Sequence, residues 1–110
     1  MFMFGLVLKA QTVEEIKEEL RDTIALYIVA VAEERGVNPI HALNVANCES
    51  GLNHLAVGDK GLSLGLWQIH QPAHPNTREI ALDPIASTQW AMDQLVSGRW
   101  EMWSCYKIVT

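Results

Sequence analysis

The chain has 110 residues, 49% of them apolar and 19% charged, with a formal net charge of −5 at pH 7. That length holds one compact domain with a modest core, and the composition excludes a disordered chain. The acidic balance excludes a general nucleic-acid binder and electrostatic capture of an anionic polymer.

Residues 1–11 open with an apolar run, Met1 to Leu8. The run falls well short of the about 20 apolar residues that span a bilayer, so no transmembrane segment is expected. It reads either as an N-terminal extension that packs on the domain or as the remnant of a signal peptide. Lys9 follows the apolar stretch instead of preceding it, which fits the second reading poorly. Thr12-Val13-Glu14-Glu15 is a capping box, and Ile16, Leu20, Ile24, Tyr27, Ile28 and Val31 recur at three- and four-residue steps. A first helix is predicted over 13–35, stopped by Gly36. Asn38-Pro39 pairs an N-cap with a first-position proline and opens a second helix over 39–50, ended by Gly51. Its apolar composition predicts that other elements surround it.

Residues 51–63 are rich in glycine and read as a loop. Leu64 to His70 is predicted as a short buried helix, and residues 71–78, with Pro72 and Pro75, as loop. Asp83-Pro84 repeats the cap-plus-proline signature and opens a helix to about Ser97, before Gly98. The tail, with Trp100, Trp103 and Tyr106, is expected to pack on the domain. No repeat or linker divides the chain, so residues 1–110 are expected to form a single, all-α or α-dominant domain. Nothing in the sequence sets its oligomeric state.

Cys48 and Cys105 lie far apart in sequence, with no CxxC and no histidine cluster beside them. Zinc and redox-motif readings are therefore poor. A disulfide between them would clip the tail onto the middle of the chain, a constraint of about 4 kcal/mol in the chain-entropy model. It would also imply an oxidising, extracytoplasmic compartment. Two buried free thiols are the alternative. His70 and His74 are four apart, but Pro72 between them breaks a ligand-bearing helix, and no metal is expected.

The most informative stretch runs Glu49-Ser50-Gly51-Leu52-Asn53, then Ala56-Val57-Gly58-Asp59, then Gly61-Leu62-Ser63-Leu64-Gly65-Leu66-Trp67-Gln68-Ile69. It resembles the SLT-type lytic transglycosylases, whose domain shares a lysozyme-like fold with goose-type lysozymes. The family pattern is Glu-Ser-Gly at a helix end, a glycine-rich loop, then Gly-Leu-x-Gln. The resemblance implies a lysozyme-like domain with a central catalytic helix, peptidoglycan glycan strands as the partner, and no cofactor. It further implies cleavage of the MurNAc-β-1,4-GlcNAc bond by Glu49 as general acid/base, with the domain periplasmic, in the cell envelope or secreted. A goose-type muramidase and a catalytically silent glycan-binding module are the alternatives.

Residue chemistry points the same way. Glycosidic cleavage needs a carboxylic acid still protonated near neutral pH. Glu49 stands in the last turn of a predicted helix, where the negative dipole end and apolar neighbours Val45, Ala46 and Leu52 both oppose ionisation. Ser50 reads as a site hydroxyl or as a helix-end cap. Gly65, Leu66 and Gln68 match the second family motif, which implies glycan contacts, with Gln68 offering both donors and an acceptor. Trp67 stands where the family often has Met, and reads as a sugar-stacking platform or as a core aromatic. A second carboxylate would be Asp59 or Asp83, yet turn chemistry already explains Asp59. The family's third motif, Ala-Tyr-Asn, is absent: the region reads Ile85-Ala86-Ser87-Thr88-Gln89-Trp90-Ala91, leaving Gln89, Trp90 or Tyr106 to take its place.

Overall fold

The structure is a computed structural model that describes residues 10–109. The apolar run of residues 1–8, and with it the choice between extension and signal remnant, lies outside the described residues.

Helix α1 spans Val13–Glu34. Its capping box forms as the sequence predicts: the Glu15 N–H donates to Thr12 Oγ1 at 3.1 Å, and the Thr12 N–H donates to the Glu15 carboxylate at 2.9 Å. Only its second half is core. Ile24, Ile28, Val31 and Ala32 are buried, whereas Ile16 and Leu20, which share the predicted apolar stripe, remain 52% and 42% exposed. The helix outruns the body it packs on.

Helix α2 spans Pro39–Ser50, with Asn38 Oδ1 accepting from the Ile40 and His41 N–H groups and Gly51 closing it in a left-handed conformation (φ 64°). It turns Ala42, Val45 and Ala46 into the core, small side chains that let α1 approach closely. Its outer face stays open, with Ile40 61% exposed, so the expectation of a fully surrounded helix is corrected. One buried stripe suffices to hold it, and the polar residues His41, Asn44, Asn47 and Glu49 lie off that stripe.

The second correction concerns residues 64–70, which are not helical. Strands β1 (Val57–Gly58), β2 (Ser63–Leu64) and β3 (Ile69–His70) form a small antiparallel sheet in that order, with Gly58 opposite Ser63 and Ser63 opposite His70. Gly65 (φ 80°) and Gln68 (φ 47°) are both left-handed, which no α-helix tolerates in its interior. The segment reads as helix or strand equally well because Ser63 through Trp67 are all buried and show no period.

Helix α3 (Arg78–Leu82) begins at the last residue of the expected loop and fills a stretch to which the sequence assigned no element, and Asp83 ends it while capping α4 (Pro84–Val96) through the Ile85 and Ala86 N–H groups. A one-turn helix, α5 (Tyr106–Val109), finishes the chain against α2. Trp67 joins three elements at the core. Its Nε1 donates to Thr88 Oγ1 on α4 at 3.0 Å, its carbonyl accepts from Trp103 Nε1 at 2.7 Å, and the two indoles meet edge-on at 5.7 Å. The fold is α-dominant, as expected. Among the described residues, no helix is long and apolar enough to cross a membrane.

Gly65 positions the sheet against α3. A Cβ built there would lie 1.7 Å from the Ala81 carbonyl oxygen, and the φ of 80° is itself unfavourable for any side chain. Gly65→Ala is therefore expected to cost about 2–5 kcal/mol, from left-handed strain plus overpacking. Urea denaturation measures it; an unchanged midpoint would show that sheet and helix are not in this close contact.

Candidate functional site

Glu49 projects from the last turn of α2 into a cavity of about 450 Å³. Three segments supply the other walls: Asp59 and Ser63 at the start of the sheet; Gln68, His70, Ala73 and His74 from β3 and its flanks; Met102, Trp103 and Ser104 from the tail. The volume falls in the range of small-ligand sites.

The Glu49 carboxylate is half-buried and held at one oxygen. Oε2 accepts from the Cys105 backbone N–H at 3.1 Å and from Ser104 Oγ at 3.4 Å. Burial pushes its pKa up from the ordinary glutamate value, and the Asp59 charge acts in the same direction. The two hydrogen bonds favour the ionised form and oppose that rise, but burial outweighs them. The result is a carboxyl biased toward keeping its proton at the wall of a solvent-open trench.

The tail that supplies these donors is tied down twice. Trp103 is buried against Trp67, and Cys105 is bonded to Cys48, the residue before Glu49, with a Cα–Cα distance of 6.0 Å. The free-thiol alternative is thereby closed.

Gln68 reaches the cavity, and its Nε2 donates to the Ala56 and Gly65 carbonyl oxygens at 3.2 and 2.9 Å. Its amide therefore braces the loop before β1 as well as facing the trench. The other residues of the two motifs stand behind the wall. Ser50 Oγ donates back to the Ala46 carbonyl one turn earlier in α2, a bond within the helix and not toward the cavity. Gly65 and Leu66 are buried. Trp67 is fully buried, so its ring is a core aromatic and has no face open to a sugar.

None of the three replacements for the missing third motif lines the cavity. Gln89 binds Tyr27 of α1 and Arg35, which caps that helix, and Tyr106 lies against Trp100 at 5.3 Å. Trp90 comes closest, backing the rings of His74 and Trp103 at 5.0 and 6.4 Å. Asp83 caps α4 and is not a wall residue, whereas Asp59 is. Met102 and Ser104 escaped sequence reasoning, and His70 and His74 entered it only as metal-ligand candidates, because only the folded chain brings the tail and the segment around β3 to Glu49. The tail's one sequence signal was the cysteine adjacent to Glu49, whose partner lies next to Ser104.

Against known protein families, the model for the transglycosylase SLT domain matches residues 26–102, most of the chain. The chain belongs to the transglycosylase SLT family. Comparisons with curated proteins and with solved structures returned no match. Members of the SLT family are peptidoglycan lytic transglycosylases, and this SLT domain is an enzyme of that kind, acting on peptidoglycan. The matched segment begins near the point where α1 enters the core and ends at Met102. The Ser104 and Cys105 donors to Glu49 thus lie just beyond the matched part of this SLT domain.

Proposed function

We propose that this SLT domain cleaves the β-1,4 bond between N-acetylmuramic acid and N-acetylglucosamine, with Glu49 as its acid/base. The observation that carries the reading is the Glu49 carboxyl, half-buried at the wall of the 450 Å³ trench and biased toward its protonated form. Glu49 donates its proton to the glycosidic oxygen as the C1–O4 bond breaks, releasing the N-acetylglucosamine side with a free 4-hydroxyl. The carboxylate then takes the proton of the muramic acid C6 hydroxyl as that oxygen bonds to C1, closing a 1,6-anhydro ring without water. Gln68 lies at the same wall with its two amide hydrogens committed to the Ala56 and Gly65 carbonyls, which leaves its side-chain oxygen as the group able to accept from a sugar hydroxyl or N-acetyl N–H. The disulfide fits a periplasmic, envelope or secreted location.

One observation favours a second reading, hydrolysis as in goose-type muramidases. Asp59 shares the trench with Glu49 and is available to take a proton from water. Mass spectrometry of digested peptidoglycan separates the two, because anhydro ends are one water lighter than hydrated ends. Undigested peptidoglycan, with no new ends of either kind, would sink both readings.

A further inference from the structure

Gly58 closes β1 with extended backbone (φ −128°, ψ 178°), a conformation that any residue adopts, so its own chain geometry does not call for glycine. The reason lies in Gln68, the residue before β3. A Cβ built at Gly58 would stand 2.3 Å from Gln68 Oε1 and 3.4 Å from Gln68 Cδ. Chain neighbours aside, no other atom of the described residues lies within 4 Å of it. The Gln68 amide therefore occupies the room that a side chain at position 58 would fill.

The nitrogen end of that amide fixes its orientation. Nε2 donates to the Ala56 and Gly65 carbonyl oxygens, which also accept the backbone N–H groups of Gly65 and Gln68 respectively. A carbonyl only accepts, so a flipped amide would set its oxygen against two others; the hydrogen-bond pattern keeps Oε1 on the Gly58 side. Oε1 itself accepts no hydrogen bond among the described residues, and it is not a buried atom. Gln68 belongs to the wall of the trench that holds Glu49. An open acceptor thus stands in the trench, at a place that exists because residue 58 has no side chain.

We propose that Gly58 is a positioning residue that acts through Gln68: it lets the amide lie over β1 with its oxygen presented to a sugar N–H or hydroxyl in the trench. A methyl group at position 58 would push the amide aside, because the free end of a glutamine yields before the sheet does. The fold is then spared while the acceptor is displaced. Gly65 differs in this respect, since the room it leaves is taken by the backbone of α3. The inference rests on the glycosidase reading above and adds a residue to it.

Gly58→Ala is expected to melt close to the wild type. It should raise the peptidoglycan concentration needed for half-maximal clearing by about threefold to tenfold, the usual worth of one hydrogen bond between neutral groups, and change the maximal rate less. In a Gln68→Ala background the same change at position 58 should cost nothing further, because no amide remains to displace. Nuclear magnetic resonance gives a readout free of activity. In the wild type the two Gln68 Nε2 hydrogens should be protected from exchange by the Ala56 and Gly65 carbonyls, and Gly58→Ala should shift both signals and speed their exchange. If Gln68→Ala does not fold, this measurement on Gly58→Ala decides alone. Unaltered Gln68 signals, an unaltered half-maximal concentration, an equal loss in both backgrounds, or a melting temperature far below the wild type would each overturn the proposal. No clearing even by the wild type, with the Gln68 signals shifted in Gly58→Ala, would count against the glycosidase reading and leave the positioning of Gln68 standing.

Discussion

Glu49→Gln is expected to lower the clearing of a peptidoglycan suspension by a factor of roughly 10²–10⁴, the usual worth of a general acid/base, without loss of fold. The amide keeps the size of the carboxyl and still accepts from the Cys105 N–H through its oxygen, but it has no proton to give a leaving alkoxide. Stability provides an internal control. Because the folded state raises the Glu49 pKa, the native protein binds more protons than the unfolded chain between the ordinary glutamate value and the raised one. Stability is therefore fully present below that window, falls as pH rises through it and stays lower above. Glu49→Gln removes this loss, so the variant should gain on the wild type in thermal melts at neutral pH and not at acidic pH. The activity of the wild type should fall on the alkaline side along a one-proton limb above the ordinary glutamate range. A variant that clears as fast as the wild type would end the acid/base assignment, whatever its melting behaviour.

Breaking the Cys48–Cys105 bond has the second-largest expected effect. The bond closes a long loop, and its removal is worth about 4 kcal/mol in the chain-entropy model, a large share of the 5–15 kcal/mol typical of whole domains. For a domain of this size the melting temperature should fall by roughly 15–30 °C in the Cys48→Ser/Cys105→Ser double variant. Activity should fall at temperatures where the fold persists, because the same bond anchors the Ser104 and Cys105 donors and the Met102–Ser104 wall beside Glu49. A competing restraint makes this a fair test. Trp103 is buried against Trp67 and hydrogen-bonded to its carbonyl, and would hold the tail by itself if packing were enough. Differential scanning calorimetry with parallel clearing assays decides: a shift of only a few degrees with unchanged clearing would assign the tail to packing alone.

Sequence by itself determined the elements whose signals are local. Helices α1, α2 and α4 begin where Thr12, Asn38 and Asp83 offer a side-chain oxygen to unpaired N–H groups, and a proline at the first helical position is compatible with no other part of a helix. Glu49, Gln68 and the family followed from a short motif, because residue identities at fixed spacing survive without knowledge of the fold. Tertiary structure alone decided the rest. Residues 63–67 are buried throughout, so their pattern has no period, and the left-handed turns at Gly65 and Gln68 select strand over helix. Trp67 became core when Thr88 and Trp103, distant in sequence, closed over it. The wall facing Glu49 comes from a tail more than fifty residues away and from a sheet only two residues wide. Burial and hydrogen-bond partners are properties of what meets in space, and one-dimensional spacing records them only where the partners are also neighbours along the chain.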